Sequence, residues 1–231
     1  MKTVLSRSLA GCSVASLLLG IAGCADLLPK PPAAPTHYTL DESPKAEVSA
    51  PRDATATAAV RPTLAVNRPQ AASGYGSVGI VYTQEAHRLD TYANSVWVDT
   101  PAQMLVPMMV AAIASVGVFP AVVPSPSAAR ADIELDTEIQ RLQHDFTSRP
   151  SRVRFTLRVS LVDSVTRRVL TSGEFDTVVN SPSEDVRGGV VAAHAAVRQV
   201  LAQLAALCSD AATRWKAVNN DSQAERKSVR R

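Results

Sequence analysis

The chain lacks a surplus of one charge, a cysteine framework and aromatic bulk. Its 231 residues carry 24 Lys+Arg against 21 Asp+Glu, a formal net charge of +3. So near a balance excludes a nucleic-acid binder that works through a basic surface. Three cysteines are too few for a disulfide scaffold. Aromatics make up 4% of the chain and hydrophobic residues 46%, so a core must be assembled from small aliphatic side chains. Beyond the N-terminus no apolar run is expected to reach the roughly 20 residues of a membrane-spanning helix. No internal repeat is present. The length suits one domain with tails.

Motifs for catalysis are missing as well. There is no G-K-[ST] sequence, hence no P-loop, and no G-x-S-x-G elbow. His37, His87, His144 and His194 lie far apart, without metal-ligand spacing. Gly74-Tyr75-Gly76-Ser77-Val78-Gly79 satisfies G-x-G-x-x-G. A dinucleotide site needs a strand before that motif and a helix after it, whereas here a polar loop precedes and a strand follows. The residues therefore point to no catalytic group, no metal and no cofactor. Scattered Ser, His and Asp leave open only a triad assembled in space.

What is present begins with an address. Lys2 and Arg7 form a positive start, and Leu9 to Ile21 is uncharged around Leu17, Leu18 and Leu19. This h-region is too short to span a bilayer and marks residues 1–23 as a signal peptide. It ends in Ile21-Ala22-Gly23-Cys24, which resembles the lipobox of bacterial lipoproteins. There the thiol receives a diacylglyceryl group and becomes the new N-terminus. An ordinary signal peptide with a chance cysteine is the alternative. Cys24 is thus the expected lipidation site and membrane anchor. Ala25 rather than Asp follows it, which points to the periplasmic face of the outer membrane over the inner membrane. With Cys12 cleaved off and Cys24 acylated, Cys208 remains alone in an apolar helical stripe and reads as a buried, inert thiol.

Residues 24–36 include Pro29, Pro31, Pro32 and Pro35 and read as an extended tether. The domain is expected over 37–218, with a flexible insertion at 42–60 and a disordered basic tail at 219–231. Losing Lys2 and Arg7 leaves the mature side chains at +1, and the tail holds +2, so the working domain is close to neutral. If the tail has a partner, an anionic membrane surface suits it.

Short strands are expected at His37 to Leu40, Leu64 to Val66 and Val78 to Tyr82. A hairpin is expected within Leu89 to Val98, turning near Ala93-Asn94-Ser95. Thr100-Pro101-Ala102-Gln103 predicts a helix start with a capping box. Its stripe would be Met104, Leu105, Met108, Ala112 and Val116. Pro107 should kink this helix, and Gly117 should end it before a strand over Val118 to Val123.

Ile133 to Arg141 and Arg152 to Leu161 alternate with period two, so each buries one face. A register setting Glu138 against Arg154 and Glu134 against Arg158 would pair acid with base. Those arginines invite a reading as a patch for anionic lipid or phosphate, but the acidic facing strand favours a solvated sheet face. Asp132, Glu134, Asp136 and Glu138 likewise fit a strand without acid–base work. Val169 to Val179 is another strand. Ser181-Pro182-Ser183-Glu184 predicts a second capping box, opening a helix to about Val218. Its stripe is Val190, His194, Val197, Leu201, Leu204, Cys208, Ala211 and Trp215. His194 reads as a core or rim histidine.

Several of these stretches together carry a resemblance. They are His37-Tyr38-Thr39-Leu40, Ile80-Val81-Tyr82, Leu89-Asp90-Thr91-Tyr92-Ala93, Trp97-Val98-Asp99-Thr100-Pro101 and Gly117-Val118-Phe119-Pro120. In this order over roughly residues 37–215 the chain resembles the PqiC-like, ABC-type transport auxiliary lipoproteins. The 42–60 insertion and the basic tail depart from that pattern. The resemblance implies a three-layer α/β domain with a mixed β-sheet, a short kinked helix and a long C-terminal helix. It implies a non-enzymatic subunit docking an MCE-domain protein, whose system includes an ABC permease and ATPase and serves lipid transport and envelope integrity. It carries over no catalytic residue. Tyr82, Tyr92 and Trp97 match the family pattern and are weak candidates for partner contact, with core packing as the plainer role. Homo-oligomerisation is open. The alternatives are a lipid-binding carrier with an apolar pocket and a hydrolase with a non-local triad.

Overall fold

The computed structural model describes residues 34–40 and 61–229, with side chains as far as Trp215. The leader 1–23, Cys24, most of the 24–36 tether, the 42–60 insertion and the side chains of the basic tail lie outside the described residues. In chain order the elements are β1 (Thr36–Tyr38), β2 (Leu64–Val66), β3 (Gln70–Ala71), β4 (Gly79–Thr83) and β5 (Asp90–Trp97). There follow α1 (Pro101–Ser115), β6 (Val122–Pro124), β7 (Ile133–Asp145), β8 (Arg152–Asp163), β9 (Val169–Asn180) and α2 (Val186–Val229).

Strand β7 organises the sheet. One edge takes β8 antiparallel along its whole length. The other edge takes β2, β3 and β4 in succession, all parallel. Beyond these lie β6 on β2, β5 on β4 and β1 on β5. The alternation expected in β7 holds, with Ile133, Leu135, Thr137 and Ile139 buried. A bulge between Ile139 and Arg141 then shifts the phase by one residue, and Leu142 and His144 continue the buried face.

The mixed α/β class expected from the sequence is what is found: an open nine-stranded mixed sheet with one short and one long helix. The helices pack against each other, and α2 covers β7, β8 and β9. The opposite face of those strands carries Glu138, Arg154, Arg158, Glu174 and Asp176 in ion pairs, the charged side of a sheet whose other side is apolar.

Four local expectations are corrected. Ala93-Asn94-Ser95 do not turn the chain. β5 runs through them, and the β4–β5 register shifts between Gly79 and Val81, so the turn-like residues form a bulge. The β7–β8 register differs by four residues. Glu138 faces Arg158 and Gln143 faces Arg154, because both strands run on until only residues 146–151 remain as the connection. A four-residue slip keeps every side chain on its face. Thr100 makes no side-chain cap, and Pro101 begins α1. Finally, Ser181 still belongs to the strand end, its N–H donating to the Ser151 carbonyl at 2.7 Å. The cap of α2 is Asp185, whose Oδ1 accepts the Gly188 N–H at 2.8 Å.

Helix α1 buries Leu105, Met109 and Ile113, a four-residue spacing. Met104, Met108 and Ala112 flank that line, and Val116 is exposed. Pro107 sits inside the helix and faces solvent. Gly117 ends it with φ at 70°, a conformation glycine adopts without strain. In α2 the expected stripe is buried from Val190 to Ala211 except at His194, and Ala193, Ala196, Val200 and Ala212 widen it. Val186–Trp215 is long and apolar enough to cross a membrane by length and composition, contrary to the expectation of no such run. Half of it is buried against the sheet, as in the core helix of a folded domain. With no Gly or Pro after Gly189, nothing breaks the helix at Val218, and it continues to Val229.

Arg158 reaches Glu138 at 3.5 Å and Glu174 at 3.3 Å, all three half-exposed. Such pairs contribute little in water. Arg158→Ala should cost less than about 1 kcal/mol in urea unfolding. A loss above about 2 kcal/mol would mean that this face is not free of burial.

Candidate functional site

The densest polar cluster among the described residues lies where β4, β5, β7, β8 and the start of α2 converge. His144 is its centre, 2% exposed. Its Nδ1 lies 3.0 Å from the Tyr92 hydroxyl and its Nε2 lies 2.9 Å from Ser151 Oγ. A neutral imidazole satisfies both contacts, one nitrogen donating and the other accepting. Ser151 N–H donates to Glu184 Oε1 at 2.8 Å, tying the strand to the segment before α2. Gly189 lets the helix come this close, since a Cβ there would collide with His144 Nδ1. Tyr82 stacks on Tyr92 with centroids 4.8 Å apart, and Phe146 lies 4.1 Å from the His144 ring.

Burial lowers the His144 pKa, against the opposing pull of Glu184, Asp145 and Asp185. Burial also raises the Tyr92 phenol, reinforced by Tyr82 and Asp185. Ser151 beside His144 has the outline of a nucleophile and its base. Ser151 is completely buried, however, and its imidazole partner is held by a phenol rather than a carboxylate. The adjoining cleft between Ile80, Trp97, Leu142, Val153 and Ala193 is about 10 Å³, room for one water molecule. No acyl chain fits there. What this arrangement does chemically is lock strand ends to a helix start.

Because His144 is neutral in the fold and its pKa is depressed, the unfolded chain takes up the proton first as pH falls. This contribution is complete above about pH 6.5 and declines as pH drops from there toward the folded value. Asp176, held low by Arg154, and Asp185, held low by the Gly188 N–H, lose theirs only below about pH 4. The thermal midpoint should therefore fall between pH 7 and pH 5, and His144→Gln should flatten that slope. An unchanged slope in the variant would remove His144 as its source.

The weak partner candidates are now placed. Tyr82 and Tyr92 stand together in this cluster, half-buried. Trp97 is 3% exposed, a core residue, so its side chain is not available to a partner. Sequence reasoning missed Ser151 and Gly189 and read Glu184 as a capping-box partner, whereas its carboxylate accepts the Ser151 N–H. No local spacing marks them, because three separate segments bring them together. His194 is a rim residue as expected, its Nε2 2.8 Å from the Thr39 carbonyl oxygen. Tyr75 of the glycine motif is buried and donates to Gln143 Oε1 at 2.5 Å, so that loop packs on β7. The carboxylates in and just before β7 are engaged: Asp132 accepts the Thr63 N–H, Asp136 the Asn67 amide, and Glu134 pairs with Arg167. Cys208 is buried with its pKa raised to about 12, an unreactive thiol. Among the described residues no group of His, Cys, Asp and Glu could hold a metal ion.

A family model for the ABC-type transport auxiliary lipoprotein component matches residues 38–205. No curated protein matches. Among solved structures, protein XCC0632 from Xanthomonas campestris is 25% identical, with a TM-score of 0.62 over 71% of this chain and 89% of that one. A second, described only as an uncharacterized protein, is 14% identical, with a TM-score of 0.56 over 77% of this chain and 98% of that one. It shares the fold. The ordered aromatic and proline positions, the mixed sheet with its long terminal helix and the match from Tyr38 onward agree: the chain belongs to the ABC-type transport auxiliary lipoprotein family.

Proposed function

We propose that this protein is a non-catalytic subunit of an MCE-type ABC lipid transport system, anchored through acylated Cys24 at the periplasmic face of the outer membrane. Its task is to dock the periplasmic MCE component, which works with a permease and an ATPase. The observation that carries this reading is the family match over nearly the whole described domain, joined to the Ile21-Ala22-Gly23-Cys24 lipobox. The complete burial of Ser151 beside His144 supports a scaffold over a hydrolase.

The test is co-purification. The full-length lipoprotein, extracted in mild detergent from cells producing the whole system, should bring down the MCE-domain protein in a fixed ratio, without stoichiometric phospholipid in native mass spectrometry. Bound phospholipid with no MCE-domain protein would favour a carrier and end the docking reading.

A further inference from the structure

Among the described residues nothing covers the outer face of α1, and no charge marks it. From Thr100 to Ala129 no residue is charged, a longer run than the uncharged stretch Ser8 to Ala25 of the leader. Burial accounts for only part of this. Leu105, Met109 and Ile113 face the core. Gln103, Pro107, Ala111 and Ala114 are exposed on the other side, at spacings of four and three that make one helical face. Val116 continues it, 41% exposed. The solvent side of α2 is the ordinary alternative, with Arg187, Arg198, Asp210 and Arg214 exposed along it.

Size and reach select the occupant. α1 has 15 residues, about 22 Å of helix roughly 10 Å wide, so its outer side offers about 200 Å². A stable contact between two proteins, whether a second copy or another subunit, takes about 800 Å² from each. A lipid surface asks for less, because the chain is already held to it. Residues 24–36 can span no more than about 43 Å at full extension, and Thr36 opens β1. An acylated Cys24 therefore keeps the domain beside one leaflet at a high effective concentration. Weak apolar contact is then enough, and a charge on the face would oppose it through the cost of desolvation.

We propose that the outer face of α1 rests on the leaflet that holds the Cys24 lipid, with Pro107, Ala111 and Ala114 at the boundary between headgroups and acyl chains. This rests on the anchoring reading above and goes beyond it, because it gives the domain a fixed side toward the membrane. The helix lies in the interface and does not cross the bilayer, since its 15 residues fall short of the roughly 20 that a span needs.

Site-specific fluorescence on the full-length lipoprotein, reconstituted in vesicles of phosphatidylethanolamine and phosphatidylglycerol, tests it. Cys208 is buried and Cys24 carries lipid in the anchored form, so Ala111→Cys provides the one thiol open to a dye. Nitroxide-bearing lipid should quench that dye by about half, and the same dye at Val178→Cys on β9 by less than about a tenth. Adding Ala114→Glu to the Ala111→Cys protein should cut the quenching at least about twofold. Four results would overturn the proposal. Vesicle-bound protein whose Ala111→Cys dye escapes the quencher would keep the anchor and take α1 off the membrane. Energy transfer between Ala111→Cys copies without lipid quenching would assign the face to a second copy. Shielding of the dye only on addition of purified MCE-domain protein would assign it to that partner. Protein that fails to float with the vesicles would remove the anchoring reading, and this inference with it.

Discussion

Cys24→Ala should abolish incorporation of labelled fatty acid, and exchanging residues 1–24 for an ordinary cleavable signal peptide should move the protein to the soluble periplasmic fraction. Each buried methylene contributes about 0.8 kcal/mol, so one chain holds a protein only marginally, while several anchor it stably. Losing all of them should take the membrane-bound share from nearly everything to a small remainder. The leader exchange matters because an uncleaved apolar h-region can itself stay in a bilayer after Cys24→Ala. A leader-exchanged protein that remained in membranes after an alkaline wash would defeat the lipid-anchor reading. α2 would then need attention, since Val186–Trp215 has the length and composition of a span although half of it is buried.

The second large effect is expected in the core. Phe155 is fully buried in the first half of β8, paired with Leu142 on β7 and Thr177 on β9. Among the described residues only Phe119 joins it as a buried phenylalanine, so few large side chains share its role. Small aliphatic neighbours such as Ala193, Ala196 and Val197 on α2 belong to the same core cluster. Side chains that short have little reach to fill a hole. Phe155→Ala should therefore cost about 3–5 kcal/mol, with the thermal midpoint falling by roughly 10 °C or more. Val178→Ala, on the exposed face of β9, should change stability by less than about 0.5 kcal/mol. A Phe155→Ala loss near 1 kcal/mol would mean that the helix collapses into the space and that the core is looser than its burial indicates.

These two experiments probe different levels of the same chain. The proposed anchor rests on Ile21-Ala22-Gly23-Cys24, a local string that is read without any fold. The long alternating strands, the α2 stripe and Gly117 as a helix stop are also local, and the structure contains them. In each of these, side-chain period or backbone freedom acts within a few residues, so the sequence determined them by itself, along with the order of aromatic and proline positions that marks the family.

Tertiary structure decided what depends on distant segments. Glu138 pairs with Arg158 rather than Arg154 because the length of the β7–β8 connection, and not charge, fixes the register. Ala93-Asn94-Ser95 became a bulge because pairing with β4 resumes on both sides of them, and the extra residues are taken up inside one strand rather than in a turn. Asp185 caps α2 because Ser181 was still committed to the end of the sheet. The His144 cluster draws on β5, β7, β8 and α2, whose members stand 52 and 7 residues apart along the chain, and no local spacing announces it. β9 as a long open edge is likewise a property of topology: whether a strand ends a sheet is settled by which strands find partners, and that is a question only the whole fold answers.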